Sequence, residues 1–106
     1  MTKYVINLLN EPNQRFSANL TDDKGAVKAV DFALRTLPDG NLLMNISVNN
    51  KLQRDGVICC NLMPLVPTNI LNGNIYFEDL YGNENPKYED FNIRFRLIYD
   101  TEFYFG

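Results

Sequence analysis

Apolar and polar residues alternate one for one along most of this chain, and that period limits what it can fold into. Tyr4, Ile6 and Leu8 form one apolar row. Phe16, Ala18 and Leu20 form a second, and Val30, Phe32 and Leu34 a third. Leu42, Met44, Ile46 and Val48 form a fourth, and Phe91, Ile93, Phe95, Leu97 and Tyr99 a fifth. A period of two places each row on one face of a strand, with the intervening residues on the other. The segment nearest to a helical pattern, Gly25 to Leu37, still reads as a strand because its apolar residues are two apart.

Turn chemistry separates the rows. Thr21-Asp22-Asp23-Lys24-Gly25 divides the second from the third. Leu37-Pro38-Asp39-Gly40 is the strongest hairpin signal, since Asp-Gly tolerates the positive φ of tight hairpins. Asn49-Asn50 marks another reversal, Gly56 a bulge or turn, and Asn72-Gly73 the start of a short strand from Asn74 to Asp79. Short strands at close spacing predict an all-β fold, a small antiparallel barrel or sandwich with hairpin connections. The 106 residues are of a size for one domain, 1–106. With 45% hydrophobic and 22% charged residues the chain can bury a core, which argues against disorder.

One stretch breaks the alternation. Asn61 to Leu71 is apolar and holds Pro64 and Pro67. Proline donates nothing to a ladder, so this is expected to be an edge or a crossing connection. Met63, Leu65, Val66, Ile70 and Leu71 then either cap the end of the fold or meet a partner. Large exposed apolar patches are uncommon on monomers, which makes capping the plainer reading. The C-terminal Phe103, Tyr104 and Phe105 pose the same choice, packing back or making contact.

Little in the chain points to catalysis. Histidine is absent, which removes the usual general base and the commonest metal ligand and makes Ser-His-Asp and Cys-His arrangements impossible within one chain. Ser17 and Ser47 lie on polar strand faces, and there is no glycine-rich phosphate loop. Cys59 and Cys60 are adjacent, so a bridge between them would be badly strained, and they read as small half-buried residues. The remaining candidates are Glu78, Asp79, Glu84, Glu89 and Asp90, around an Asn-rich loop from Gly82 to Asp90. Their order does not fit an EF-hand, and a paired-carboxylate glycosidase needs a cleft that a chain of this length hardly provides. The loop reads as a connector, with Pro86 shaping it and Asp90 accepting backbone hydrogen bonds, and Arg94 and Arg96 as solvated or paired with acidic neighbours. No catalytic residue, metal site or cofactor is expected.

The net charge of -3 disfavours phosphate backbones, so no direct nucleic-acid specificity is expected. No apolar run approaches the ~20 residues that cross a bilayer, and no secretory cleavage site follows the N-terminus. Neither a membrane anchor nor export is expected, and synthesis is assigned to a cytoplasm.

Several blocks resemble a family of small phage tail proteins. Pro12, Gln14, Phe16 and Leu20 match a P-x-Q-x-F turn and the strand after it. Gly56 and Leu62 to Leu71 resemble a central G-x-x-L-x-P-like stretch. Gly73 to Phe77 fit a later strand, Asn85-Pro86-Lys87-Tyr88-Glu89-Asp90-Phe91 an acidic loop, and Arg96-Leu97-Ile98-Tyr99 the finish. The family is similar to the baseplate plug protein of contractile-tailed cyanophages. The chain departs from it in having no Trp and in placing Asn92 where a Gly is usual.

The resemblance implies a structural component of a bacteriophage or prophage tail, in the hub and plug region of the baseplate. It would be located in the virion tail and act by assembly with hub, tube or spike proteins, with several copies in a symmetric ring. The alternative is a small ligand- or carbohydrate-binding module, using a barrel mouth lined by Tyr76, Tyr81, Tyr88 and Tyr99.

Overall fold

A computed structural model describes residues 3–67 and 70–103. Its strands are β1 (Lys3–Ile6), β2 (Asn13–Thr21), β3 (Val27–Thr36), β4 (Leu42–Val48), β5 (Lys51–Ile58), β6 (Asn74–Asp79) and β7 (Phe95–Asp100). They form two antiparallel sheets, one in the order β1-β7-β6 and one in the order β2-β3-β4-β5. The all-β expectation is borne out, and the choice between barrel and sandwich falls to the sandwich.

The turns of the four-stranded sheet follow the sequence. The β2–β3 and β3–β4 turns share one construction. In the first, Asp22 N–H donates to the Ala26 carbonyl and Gly25 N–H to the Asp22 carbonyl. In the second, Leu37 N–H donates to the Asn41 carbonyl and Gly40 N–H to the Leu37 carbonyl. Gly25 and Gly40 take φ of 83° and 90°. Between β4 and β5, Asn49 and Asn50 both have positive φ, the requirement of a two-residue type I′ turn. Gly56 lies in a stretch where the β4–β5 register shifts, and its N–H donates to the Asn45 side chain.

The core lies between the sheets. Val30, Phe32 and Leu34 of β3 and Leu42, Met44, Ile46 and Val48 of β4 face Ile75 and Phe77 of β6 and Leu97 and Tyr99 of β7, all buried. The last strand begins later than the alternation from Phe91 predicts. A single 3-10 turn at Tyr88–Asp90 leads into a tight reversal in which Asn92 has φ 65°, and Ile93 points to solvent. Only from Phe95 does the chain extend. As the middle strand of its sheet, β7 then buries Leu97, Ile98, Tyr99 and Asp100 in succession rather than alternately.

The two sides of the sandwich differ. On one, the proline-containing segment runs along the outer edge of β6. Leu62 and Leu65 N–H donate to the Phe77 and Ile75 carbonyls, each at 2.8 Å. The Asn74 side chain binds both the N–H and the carbonyl of Val66, at 3.0 and 2.8 Å. Pro64 falls between the donors. On the other side β1 and β2 are not paired with each other, and a groove of about 480 Å³ separates them, lined by residues such as Tyr4, Val5, Phe16 and Ala18. That open side makes the fold a sandwich rather than a closed barrel.

Candidate assembly surfaces

The polar clusters are the first place to look for chemistry, and each is occupied in holding the chain's own loops. Asp79, at the end of β6, takes four donors. Arg94 gives Nε and Nη2 at 2.8 and 2.9 Å, and the N–H groups of Tyr81 and Glu84 give 3.0 and 2.9 Å. The guanidinium, seconded by these backbone donors, holds the Asp79 carboxyl well below the usual carboxylate range, with burial opposing. The same bond raises Arg94, whose Nη2 also reaches Glu84 at 3.1 Å. Among the described residues no group of three His, Cys, Asp or Glu side chains is arranged to hold a metal.

Asp22 acts likewise at the opposite end. Its Oδ1 accepts the N–H groups of Lys24 and Ala26, each at 2.9 Å, and its Oδ2 accepts from the Asn72 side chain. These bonds, led by the one from Ala26, lower its pKa. Tyr99 Oη donates to the Asn72 carbonyl at 2.8 Å, so the β2–β3 turn is tied to β7 through one residue.

The third cluster joins the loops that carry the resemblance. Gln14 occupies the inward phase of β2 in line with Phe16, Ala18 and Leu20, and there its amide reads the Leu9 backbone twice. It accepts the Leu9 N–H at 3.1 Å and donates to the Leu9 carbonyl at 2.8 Å. Asn10 donates to the Phe91 carbonyl at 3.1 Å, and the Asn92 side chain donates to the Leu8 carbonyl. The turn before β2 and the loop before β7 therefore fix each other. Asn92 takes φ 65°, a conformation that Asn, after Gly, tolerates best. Asp90 contributes to its turn through its carbonyl, which accepts from Ile93 and Arg94. Among the described residues its carboxylate accepts no hydrogen bond, and the carboxylate that organises the loop is Asp79. Pro86 is buried behind the turn. Only a polar residue in the apolar phase of β2 signals the Gln14 clamp from sequence, and nothing local signals Asn10 or Asn92.

The residues named as interface candidates divide. Leu65, Val66 and Leu71 are buried in the chain's own core, at 0%, 1% and 6% exposure, so in this conformation they cap the sandwich and offer no side chain to a partner. Met63 and Ile70 are half-buried against that core. Phe103 packs on Tyr76, with ring centroids 4.8 Å apart. Tyr104 and Phe105 lie outside the described residues. The four tyrosines do not form one mouth. Tyr76 and Tyr99 occupy opposite faces of their sheet, where each is buried, whereas Tyr81 is exposed. Cys59 is buried, Cys60 half-buried, and both are free.

Among the described residues, two surfaces are uncommitted. The first is the outer face of the four-stranded sheet, built from the cross-strand rows Asn13–Arg35–Leu43–Ile58, Arg15–Ala33–Asn45 and Ser17–Asp31–Ser47–Leu52. Small side chains at its middle leave shallow depressions beside Arg15 and Arg35. Among the described residues neither arginine makes an ion pair. The charged residues of these rows are Arg15, Arg35 and Asp31, whereas Lys28, Lys51 and Arg54 pair with the buried Leu20, Val48 and Ile46. The second surface is the outer edge of β2.

Fold and surfaces together define a class: a small β-sandwich whose organised polar groups stabilise its own loops and whose bare sheet face and strand edge are open to other proteins. Within that class, the family model for the cyanophage baseplate Pam3 plug gp18 matches residues 3–102, and the chain belongs to that family. No curated protein matches it in sequence.

Proposed function

We propose that the protein is a structural component of a phage or prophage tail, seated in the plug region of the baseplate, and that it works by protein–protein contact alone. One observation carries the contact assignment. Among the described residues nothing covers the outer face of the β2-β3-β4-β5 sheet, and in a chain of net charge -3 its two arginines, Arg15 and Arg35, have no ionic partner there. Arginine presents a planar fork that suits carboxylates bidentately, and burial in an interface favours it over lysine. The neighbour fitting this face is an acidic surface of a hub, tube or spike protein. Leu52 and Ile58, both exposed, supply apolar area at the margin, and Met63 and Ile70 extend the contact past the end of the sandwich.

Phage carrying Arg15→Glu and Arg35→Glu together tests the reading. The expected result is tails that lack the protein or fail to mature, while the purified double variant keeps its wild-type melting temperature. Tails that retain it at full stoichiometry would remove this face from the assembly.

A further inference from the structure

Four strand edges bound the two sheets, and three of them are defended against pairing with another chain. The edge of β6 is covered by the chain's own Asn61–Val66 segment. β5 carries Lys51, Arg54 and Asp55, and its register is broken near Gly56. β1 has only four residues and begins at a lysine. Charges, bulges, shortness and covering segments are the devices that keep edges apart. Among the described residues β2 has none of them. It runs nine residues in unbroken register with β3, contains no proline and bears one charge, Arg15. Its inner flank opens on the groove beside β1, whose lining from Tyr4 to Asn7 and from Phe16 to Thr21 carries no charged residue. Phe16 and Ala18 are incompletely buried there although they lie on the core side of their strand.

We propose that this edge pairs antiparallel with the β2 edge of a second copy, about a two-fold axis through Ser17, so that two four-stranded sheets become one sheet of eight. β2 is complementary to itself in this register. Ser17 is the central residue of Asn13–Thr21, so all nine residues find partners. On the core side Phe16 faces the small Ala18 of the other copy, and Gln14 faces Leu20. On the outer side Arg15 faces Asn19, and Asn13 faces Thr21. No like charges meet, whereas like charges directly opposite destabilise a pair. Moving the axis to Phe16 would set two phenylalanines against each other and leave two residues at one end of each strand unpaired. The contact is isologous and closes with two copies. It rests on the strand edge and not on the baseplate reading, and it is measured on purified protein, so either can fail without the other.

Sedimentation of the wild-type protein is expected to give twice the chain mass, insensitive to salt because no ion pair crosses the axis. Under mild oxidation Ser17→Cys is expected to form a disulfide-linked dimer. Asn19→Cys is not, because the two copies of residue 19 lie four residues apart along the ladder, and the wild type, with Cys59 buried, serves as the blank. Asn19→Lys sets a like charge opposite Arg15 on both sides of the axis. It is expected to weaken the dimer at least about tenfold, the equivalent of ~1.4 kcal/mol, with an unchanged circular dichroism spectrum. A monomeric wild type, or equal cross-linking of Ser17→Cys and Asn19→Cys, would overturn the assignment.

Discussion

Asp79 and Arg94, fifteen residues apart, meet through two parallel hydrogen bonds of 2.8 and 2.9 Å and so close the acidic loop between β6 and β7 at its base. Leu80 N–H reinforces the closure by donating to the Arg94 carbonyl at 2.8 Å, and the guanidinium lies 5.2 Å from the centroid of the Phe95 ring. The loop that most resembles a metal or catalytic site in sequence is thereby a clasp. A cation would have to displace an arginine that already satisfies both carboxylate oxygens.

Removing the carboxylate charge is expected to cost far more at Asp79 than at Glu84. The Asp79 side chain is fully buried and its pair bidentate, whereas Glu84 is 71% exposed and its bridge is screened by water. Thermal denaturation should give Asp79→Asn a loss in Tm several times that of Glu84→Gln. Equal losses would show that the clasp does not hold the loop.

Stability should fall at both ends of the pH range. On the acid side Asp79 and Asp22 have folded-state pKa values below the ordinary 3.8. Their contribution is present above that value and disappears as pH drops through the lower folded values. On the alkaline side burial raises Cys59 from 9.0 to about 12, and burial with neighbouring acids raises Tyr99 from 10.0 to about 12. These groups stay neutral in the folded chain while the unfolded chain ionises, so stability is full below about pH 9 and declines above it. Urea titrations across pH should show that plateau, and Cys59→Ala should flatten the start of the alkaline decline.

Period and turn chemistry make β2, β3 and β4 legible, because each keeps one face toward the core and each reversal uses Gly or Asn at positive φ. β5 is not legible in this way, because none of its residues is buried and it carries no alternating apolar row. The three-stranded sheet was less legible. β7 is buried on both faces, so alternation carries no phase information there, and Phe91 and Ile93 extend an apparent strand through what is a tight turn at Asn92. The apolar segment around Pro64 is legible as an edge or a crossing connection, but which of its side chains face inward depends on hydrogen bonds to β6, residues distant in sequence. The bare sheet face and the unguarded β2 edge depend on strand order, which alternation within single strands does not encode.

Gly73 separates close approach from backbone freedom. Its φ is 86°, and an added Cβ would lie 1.9 Å from the Asp100 carbonyl oxygen, a backbone atom of β7. Gly25 has φ 83° and open space around it. Gly25→Ala is expected to cost only the left-handed penalty of roughly 1–2 kcal/mol. Gly73→Ala must also displace the start of β6 from β7, and should exceed that cost by at least about 2 kcal/mol in denaturant titration. Similar values for the two variants would mean that the β6–β7 junction is looser than the structure shows.

Asn92 tests the link between the two loops. Asn92→Gly keeps an easy left-handed backbone and loses the bond to Leu8, worth about 0.5–1.5 kcal/mol. Asn92→Ala loses the bond and adds backbone strain of roughly 1–2 kcal/mol. Alanine should therefore be the more damaging of the two, and in both variants hydrogen exchange should quicken in residues 8–10 as well as in the loop. Exchange that changes on the loop side alone would show that the stitch between the turn before β2 and the loop before β7 carries no weight.

Leu62 and Leu65 stand three residues apart in the proline-containing segment, and both donate a backbone N–H to β6, but their side chains have opposite fates. Leu65 is fully buried, and Leu62 is 49% exposed with φ 57°. Leu65→Ala opens a cavity in the capped end of the sandwich and is expected to cost about 2–5 kcal/mol. Leu62→Ala removes little buried area and should stay within roughly 0.5 kcal/mol. A partner that contacts this segment reverses the order in assembly. Leu62→Asp should reduce incorporation into tails without loss of fold, whereas Leu65→Asp should fail by unfolding before assembly begins. If Leu62→Asp incorporates normally, the segment serves only to close its own sandwich, and contact with neighbours is left to the arginine-bearing face and the β2 edge.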